Sequence, residues 1–121
     1  MNKRHILAHG SLELLKREIR IQRKLDHPHV IRLQYYFEDK ENVYLVLEYA
    51  EHGNLFFYLR KKKKFTEKEA FVYFFQTCIG IDYLHKKGVL HRDLKVYLNF
   101  FFNHSPEFSS LRTSFLIKDT I

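Results

Sequence analysis

The chain has 121 residues, the size of one small domain with a single hydrophobic core. Its 45% apolar and 17% aromatic content argues against disorder throughout. The net charge of +7 is compatible with a nucleic acid, an anionic surface or a phosphate-bearing ligand, and equally with solubility alone.

Cysteine content and hydropathy indicate the cellular compartment. Cys78 is the one cysteine, so an internal disulfide is impossible and no zinc cluster is indicated. It lies in the apolar stretch 71–81, which favours a buried, inert thiol. Residues 1–5 are polar and lack a signal core, and no stretch reaches the roughly 18 apolar residues of a membrane span. We expect a soluble intracellular protein, cytoplasmic or nuclear, without a membrane partner.

The first half of the chain predicts one helix and two strands. Residues 11–25 have apolar positions at helical spacing, with Ser11 as a candidate N-cap and Pro28 ending the pattern. Segments 30–37 and 43–49 are rich in β-branched and aromatic residues, which favours strands. The short polar link between them predicts an antiparallel hairpin. The second strand is almost wholly apolar and is expected to be covered on both faces.

A short helix and a basic run follow. Asn54 can cap a helix over residues 55–59. The adjacent cations of 60–64 repel each other, so a solvated loop is favoured over a binding patch.

The clearest predicted helix spans about residues 67–86. Thr66, followed by Glu69 three places on, matches a capping box. The apolar residues behind it are spaced three and four apart over so broad an arc that we expect a core helix. Gly88 is a natural left-handed stop, and a short strand is predicted at 89–90.

Five motifs then follow one another in a recognisable order. Residues 91–95 read His-Arg-Asp-Leu-Lys, the opening of the protein-kinase catalytic loop. Before it stand Tyr-Leu-His at 83–85, Leu-Glu-Tyr-Ala at 47–50, His-Pro-His-Val at 27–30 and Arg-Glu-Ile at 17–19. The chain therefore resembles the middle of a eukaryotic-type Ser/Thr protein kinase domain, cut at both ends and similar to the Aurora-like branch.

The resemblance implies an α+β, partial protein-kinase-like fold containing helix C, strands 4 and 5, the hinge, helices D and E, and the catalytic loop. It implies an N-lobe remnant at 1–47, a hinge at 48–50 and the start of a C-lobe at 51–95. Residues 96–121 are interpreted as a divergent tail.

The resemblance also implies catalytic roles. Asp93 would accept the substrate hydroxyl proton, and Lys95 would place a cation beside the transferred phosphate. Glu18 would hold a strand-three lysine by an ion pair. His91 is expected to be structural. Taken without the family, Asp93 could be an ordinary loop acid and Glu18 a solvated helix residue.

ATP and Mg²⁺ are the implied cofactors. Glu48 and Ala50 would offer backbone hydrogen bonds to adenine, with Leu47 behind it as gatekeeper. Asn99 is a doubtful metal ligand, because the family's loop asparagine is expected at the position of Leu98. The implied partner is a protein substrate or a partner kinase, and a nucleic acid is not expected.

Four parts of the kinase pattern do not appear in these 121 residues. They are a Gly-rich phosphate loop, the strand-three lysine, an asparagine in register, and Asp-Phe-Gly. We therefore predict ATP-dependent phosphorylation of protein Ser/Thr as the family function and little or no activity for this polypeptide by itself. The alternative is a non-catalytic, pseudokinase-like binding module.

Overall fold

The computed structural model describes residues 1, 3, 12–49, 54–92 and 94. Five residues to which the sequence assigns a cap or a site role lie outside this part of the chain: Ser11, Ala50, Asp93, Lys95 and Asn99.

The first described helix, α1, spans Leu12–Gln22. Leu15 and Ile19, four positions apart, are buried on one side, and Glu13 lies in the first turn, where the helix dipole favours an anion.

The two predicted strands form an antiparallel hairpin, which confirms that prediction. Strand β1 spans Leu33–Glu38, strand β2 spans Val43–Leu47, and a register irregularity lies near Leu33. In the turn, the Asp39 carboxylate accepts the backbone N–H groups of Glu41 and Asn42 at 2.7 and 2.6 Å. These two hydrogen bonds lower the pKa of Asp39.

The N-terminus lies against the outer side of β2. The Met1 ammonium donates to the Val43 carbonyl at 2.7 Å, and the Val43 N–H donates back to the Met1 carbonyl at 2.8 Å. Lys3 pairs with Glu38 at 2.7 Å and thereby lowers the pKa of that carboxyl group.

The prediction that the second strand is covered on both faces is wrong. Val43 is buried, but Tyr44 is 39% exposed and the rest of β2 is only half-buried. Only one face has a partner among the described elements, namely α1. The apolar composition of β2 does not distinguish one covered face from two.

Two further helices complete the described elements. Helix α2 spans Leu55–Lys62, and the Asn54 side chain accepts the Phe57 N–H at 3.0 Å, as expected for its cap. The helix is longer than predicted, because it includes the first three cations of the basic run, whose side chains remain exposed.

Helix α3 spans Glu67–Lys86 and confirms the predicted helix and its capping box. The Glu69 carboxylate accepts the Thr66 N–H at 2.9 Å, and the Thr66 hydroxyl accepts the Glu69 N–H at 3.3 Å. Lys62, at the end of α2, forms an ion pair with the same carboxylate. The Glu69 side chain thus caps the N-terminus of α3 and links this helix to α2. At the other end, Gly88 has the predicted positive φ of 71°.

Three other expectations about this region are wrong. The Cys78 thiol is exposed, not buried. Residues 89–90 form no strand within the described part of the chain. Helix α3 is not surrounded by core, because its buried side is narrow and three phenylalanines on the remainder are more than half exposed: Phe71, Phe74 and Phe75.

Three small apolar clusters hold the described elements together. One joins α1 to the hairpin through Leu15, Ile19, Leu33 and Val43. Another joins α2 to α3 through Leu55 and Tyr73, and burial raises the pKa of Tyr73.

The third cluster joins the two halves of the chain. It contains Leu25 and Val30 from the loop after α1, Leu84 from α3, and Val89 from the segment after α3. Leu84 is 0% exposed, so this contact excludes water.

Substituting Leu84→Ala is expected to lower the free energy of unfolding by about 2–5 kcal/mol, because it leaves a cavity where α3 meets the loop after α1. Urea unfolding followed by circular dichroism measures the change. Leu14→Ala is the matched control, because Leu14 is 52% exposed. Equal losses for the two variants would contradict the assigned core.

Substituting Glu69→Gln is expected to cost about 1 kcal/mol near neutral pH, because it weakens the capping box and removes the ion pair with Lys62. These contacts lower the pKa of Glu69. The stabilisation is therefore complete above the ordinary pKa of a glutamate and is lost as pH falls through the lowered value.

Urea unfolding of both proteins over a pH series tests this dependence. The gap between them should close as the solution is acidified. Glu67→Gln is the control, since Glu67 is exposed and lies outside the capping box. A gap that stays constant down to acid pH would contradict the assignment.

Candidate functional site

The loop between α1 and β1 docks on the last turn of α3. The His27 ring stacks on Tyr83, with centroids 4.6 Å apart and planes 19° apart. The Asp26 N–H donates to the Tyr83 hydroxyl at 3.0 Å, and Lys87 lies 5.8 Å over the same ring. Tyr83 therefore packs against His27 and holds the loop through the Asp26 N–H.

A second contact holds this loop from the α1 side. Gln22, only 4% exposed, donates its side-chain amide hydrogen to the Ile31 carbonyl. A buried polar group needs such a partner. Sequence reasoning missed this role. The signal was that Gln22 lies on the same helical face as Leu15 and Ile19, where a buried polar side chain needs a hydrogen-bond partner.

The end of the same loop is tied to the segment after β2. The Glu48 N–H donates to the Arg32 carbonyl at 2.9 Å, and the Arg32 N–H donates to the Glu48 carboxylate at 3.3 Å. Arg32 also lies 3.9 Å from Asp26, in an exposed ion pair. The Glu48 side chain thus ties its segment to the backbone at Arg32, a role not foreseen from the sequence.

The predicted gatekeeper, Leu47, is half-buried and packs with Leu45 against the cluster containing Leu15 and Ile19. Glu18, the residue before Ile19 on α1, is also half-buried. The structure thus places Leu47 and α1 in one apolar cluster.

The approach to the predicted catalytic loop alternates between buried and exposed side chains. Val89 is 7% and His91 is 3% exposed, whereas Leu90 is 54% exposed. The Val89 N–H donates to the Leu84 carbonyl at 2.9 Å. Arg92 is exposed and has a positive φ of 57°, so the chain turns sharply just before residue 93.

His91 is therefore buried, as its expected structural role requires. Val89 and His91 are therefore two buried positions in the segment that precedes residue 93. Asp93, Lys95, Ala50 and Asn99 lie outside the described residues, and their roles stay predictions.

Among the described residues, the carboxyl groups with shifted pKa values lie at the hairpin turn and at the start of α3. Asp39 accepts a hydrogen bond from the Tyr44 hydroxyl at 3.0 Å, which raises the pKa of Tyr44. This pair belongs to the hairpin turn and is explained by turn geometry. Within the described ranges, no three acidic, histidine or cysteine side chains come close enough together to hold a metal ion.

Comparison with known proteins identifies the family. The family model described as protein kinase domain matches residues 1–112. This match includes residues 96–112, part of the segment interpreted as a divergent tail, and the proposed domain boundaries stay a prediction.

The similar proteins are also protein kinases. An Aurora kinase of Yarrowia lipolytica is 42% identical over 95 residues, covering 78% of this chain and 26% of the relative. An Aurora kinase of Schizosaccharomyces pombe is 46% identical over 81 residues, covering 67% of this chain and 23% of the relative. The mouse serine/threonine-protein kinase PLK2 is 43% identical over 95 residues, covering 78% of this chain and 14% of the relative.

The chain therefore belongs to the protein kinase domain family. The resemblance seen in the motifs is confirmed, and so is the α+β class, with the order of helices and strands expected of a partial kinase fold. The chain spans less than a third of the length of these relatives. Among the described helices, none has the length and apolar character needed to cross a membrane.

Substituting Tyr83→Phe is expected to lower the free energy of unfolding by about 1 kcal/mol, because the Asp26 N–H loses its acceptor while the ring stack with His27 remains. Urea unfolding measures the loss. Tyr35→Phe is the control, since Tyr35 is 56% exposed on β1. A Tyr83→Phe protein as stable as the control would show that this hydrogen bond does not hold the loop.

Proposed function

We propose that this chain carries the adenine-binding edge and the proton acceptor of an ATP-dependent Ser/Thr protein kinase. One observation supports the proposal most directly. Residues 26–32 contact both halves of the predicted site: Arg32 is hydrogen-bonded to Glu48, and Val30 packs in the cluster that anchors Val89. The segment expected to bind adenine and the segment leading to Asp93 are therefore held by one loop.

Adenine would bind along residues 47–50. The Glu48 N–H is already bonded to Arg32, so the Glu48 carbonyl would accept the adenine amino hydrogen. The Ala50 N–H would donate to a ring nitrogen. Leu47, held by the cluster against α1, would limit the depth of the pocket.

Phosphoryl transfer would use residues beyond the anchored histidine. Asp93 would accept the proton of a protein serine or threonine hydroxyl and orient that oxygen for attack. Lys95 would stabilise negative charge spreading over the transferred group. Glu18 would pair with a strand-three lysine, which no residue in these 121 supplies in the expected register.

Magnesium, if bound, would supply the positive charge that compensates the phosphates of ATP. Within the residues that the structure describes, no three acidic, histidine or cysteine side chains come together, and Asp93 and Asn99 lie outside that part of the chain. Asn99, the doubtful ligand, is one place away from the family register, and the sequence contains no Asp-Phe-Gly. We therefore propose that this polypeptide alone binds adenine weakly and transfers phosphate slowly or not at all. Its proposed location is the cytoplasm or nucleus.

Isothermal titration of the chain with adenosine and with ATP, each with and without Mg²⁺, tests the adenine edge. Adenosine and ATP should bind with similar affinity, and Mg²⁺ should add little, because the base makes the contacts. Ala50→Pro, which lacks the N–H donor, should weaken adenosine binding about tenfold, whereas Ala50→Ser should not. Equal binding by the two variants would contradict the assigned donor.

A radiolabelled phosphate-transfer assay with a Ser/Thr peptide tests the second part. Incorporation should not exceed that of the Asp93→Asn variant. Turnover that Asp93→Asn abolishes would overturn the proposed inactivity while supporting the role of Asp93.

A further inference from the structure

The outer face of α3 carries an exposed apolar stripe. Phe71 and Phe75 are 63% and 54% exposed, and their rings stack 5.8 Å apart with planes 13° apart. Ile79, 37% exposed, continues the stripe at the same spacing of four residues. Phe74, 69% exposed, flanks it. Such a continuous exposed patch on a helix indicates a contact surface.

The stripe has symmetry along the helix. Phe71 and Ile79 lie four residues before and after Phe75. Positions four apart share a helix face, so the three side chains form a row centred on Phe75. A second copy laid antiparallel across this centre would place Phe71 of one helix against Ile79 of the other, and Phe75 against Phe75.

The charges beside the stripe follow the same centre with opposite sign. Lys68 lies seven residues before Phe75 and Asp82 lies seven residues after it. Seven residues are about two turns, so both charges lie on the face of the stripe, about 10 Å from its centre. Both side chains are exposed. In the antiparallel arrangement each Lys68 meets the other copy's Asp82, whereas a parallel arrangement pairs like charges.

We infer that α3 is a docking surface for a second copy of this chain, in which two α3 helices pack antiparallel about Phe75. Such a two-fold interface uses the same patch twice and closes on itself. The antiparallel sense follows from the charge order, because the apolar row alone would allow either direction. The Asp82 carboxylate also accepts a hydrogen bond from Lys86 of its own helix at 2.6 Å. A carboxylate has enough acceptor positions to bind Lys86 and the other copy's Lys68 together.

The size of the patch sets the expected strength. A fully buried aromatic side chain covers about 150–250 Å², so three half-exposed rings supply on the order of 300–400 Å² per copy. Two copies together fall below the roughly 1,200 Å² of a stable interface. The dimer should therefore form in the micromolar range and dissociate on dilution.

Sedimentation velocity over a concentration series tests the inference. The mass should rise from 14.8 kDa toward twice that value. Phe75→Asp should weaken association at least tenfold, because a carboxylate then stands opposite its own copy. Phe57→Asp is the matched control, since Phe57 is 62% exposed on α2 and outside the stripe. A mass that stays monomeric, or equal effects of the two substitutions, would overturn the inference.

Charge exchange tests the direction of packing. Lys68→Glu and Asp82→Lys should each weaken the dimer about threefold to tenfold, because each change acts at two symmetry-related places. The double variant should restore the original affinity, since opposite charges meet again. Failure of the double variant to restore it would overturn the antiparallel arrangement. Adenosine binding should be unchanged in these variants. A failure of the dimer test would therefore leave the proposed adenine site unaffected, and the two proposals can fail separately.

Discussion

The docking of residues 26–32 on the end of α3 is the contact on which the candidate site depends. On one side this loop receives Gln22 from α1, and on the other it presents His27 to Tyr83. Its last residue, Arg32, joins the segment after β2. Without this contact, the hairpin with α1 and the pair α2–α3 would each expose an apolar side, and neither is large enough to be stable by itself.

A buried apolar cluster and hydrogen bonds hold this junction together, and ion pairs contribute little. Arg32 and Asp26 are too exposed for their pairing at 3.9 Å to add much stability. The apolar contact at Leu84 is fully buried, and two hydrogen bonds join Arg32 to Glu48. Phosphoryl transfer relies on such positioning, because its transition state needs aligned groups more than covalent help.

Local signals in the sequence predicted the elements well. Asn54, Thr66 with Glu69, and Gly88 each occupy the position expected from capping and turn chemistry, because those preferences depend on a few neighbouring residues. Burial was predicted poorly. Cys78 and the phenylalanines of α3 are apolar residues at helical spacing, yet composition alone does not say which side of a helix finds a partner. The motifs indicated the family and predict the site residues, whereas the contacts of Gln22 and of the Glu48 side chain depend on tertiary neighbours.

The separation of contacting residues along the chain has a consequence for the order of folding. The Asp39 turn and the Thr66 capping box join residues only two or three positions apart. The hydrogen bond from Asp26 to Tyr83 spans 57 positions. Closing so long a loop costs chain entropy before any contact compensates it, so the hairpin and α3 can form early while the junction assembles late. During synthesis on the ribosome, the proposed adenine-binding edge therefore has to wait for the final turn of α3 to emerge before its geometry is set.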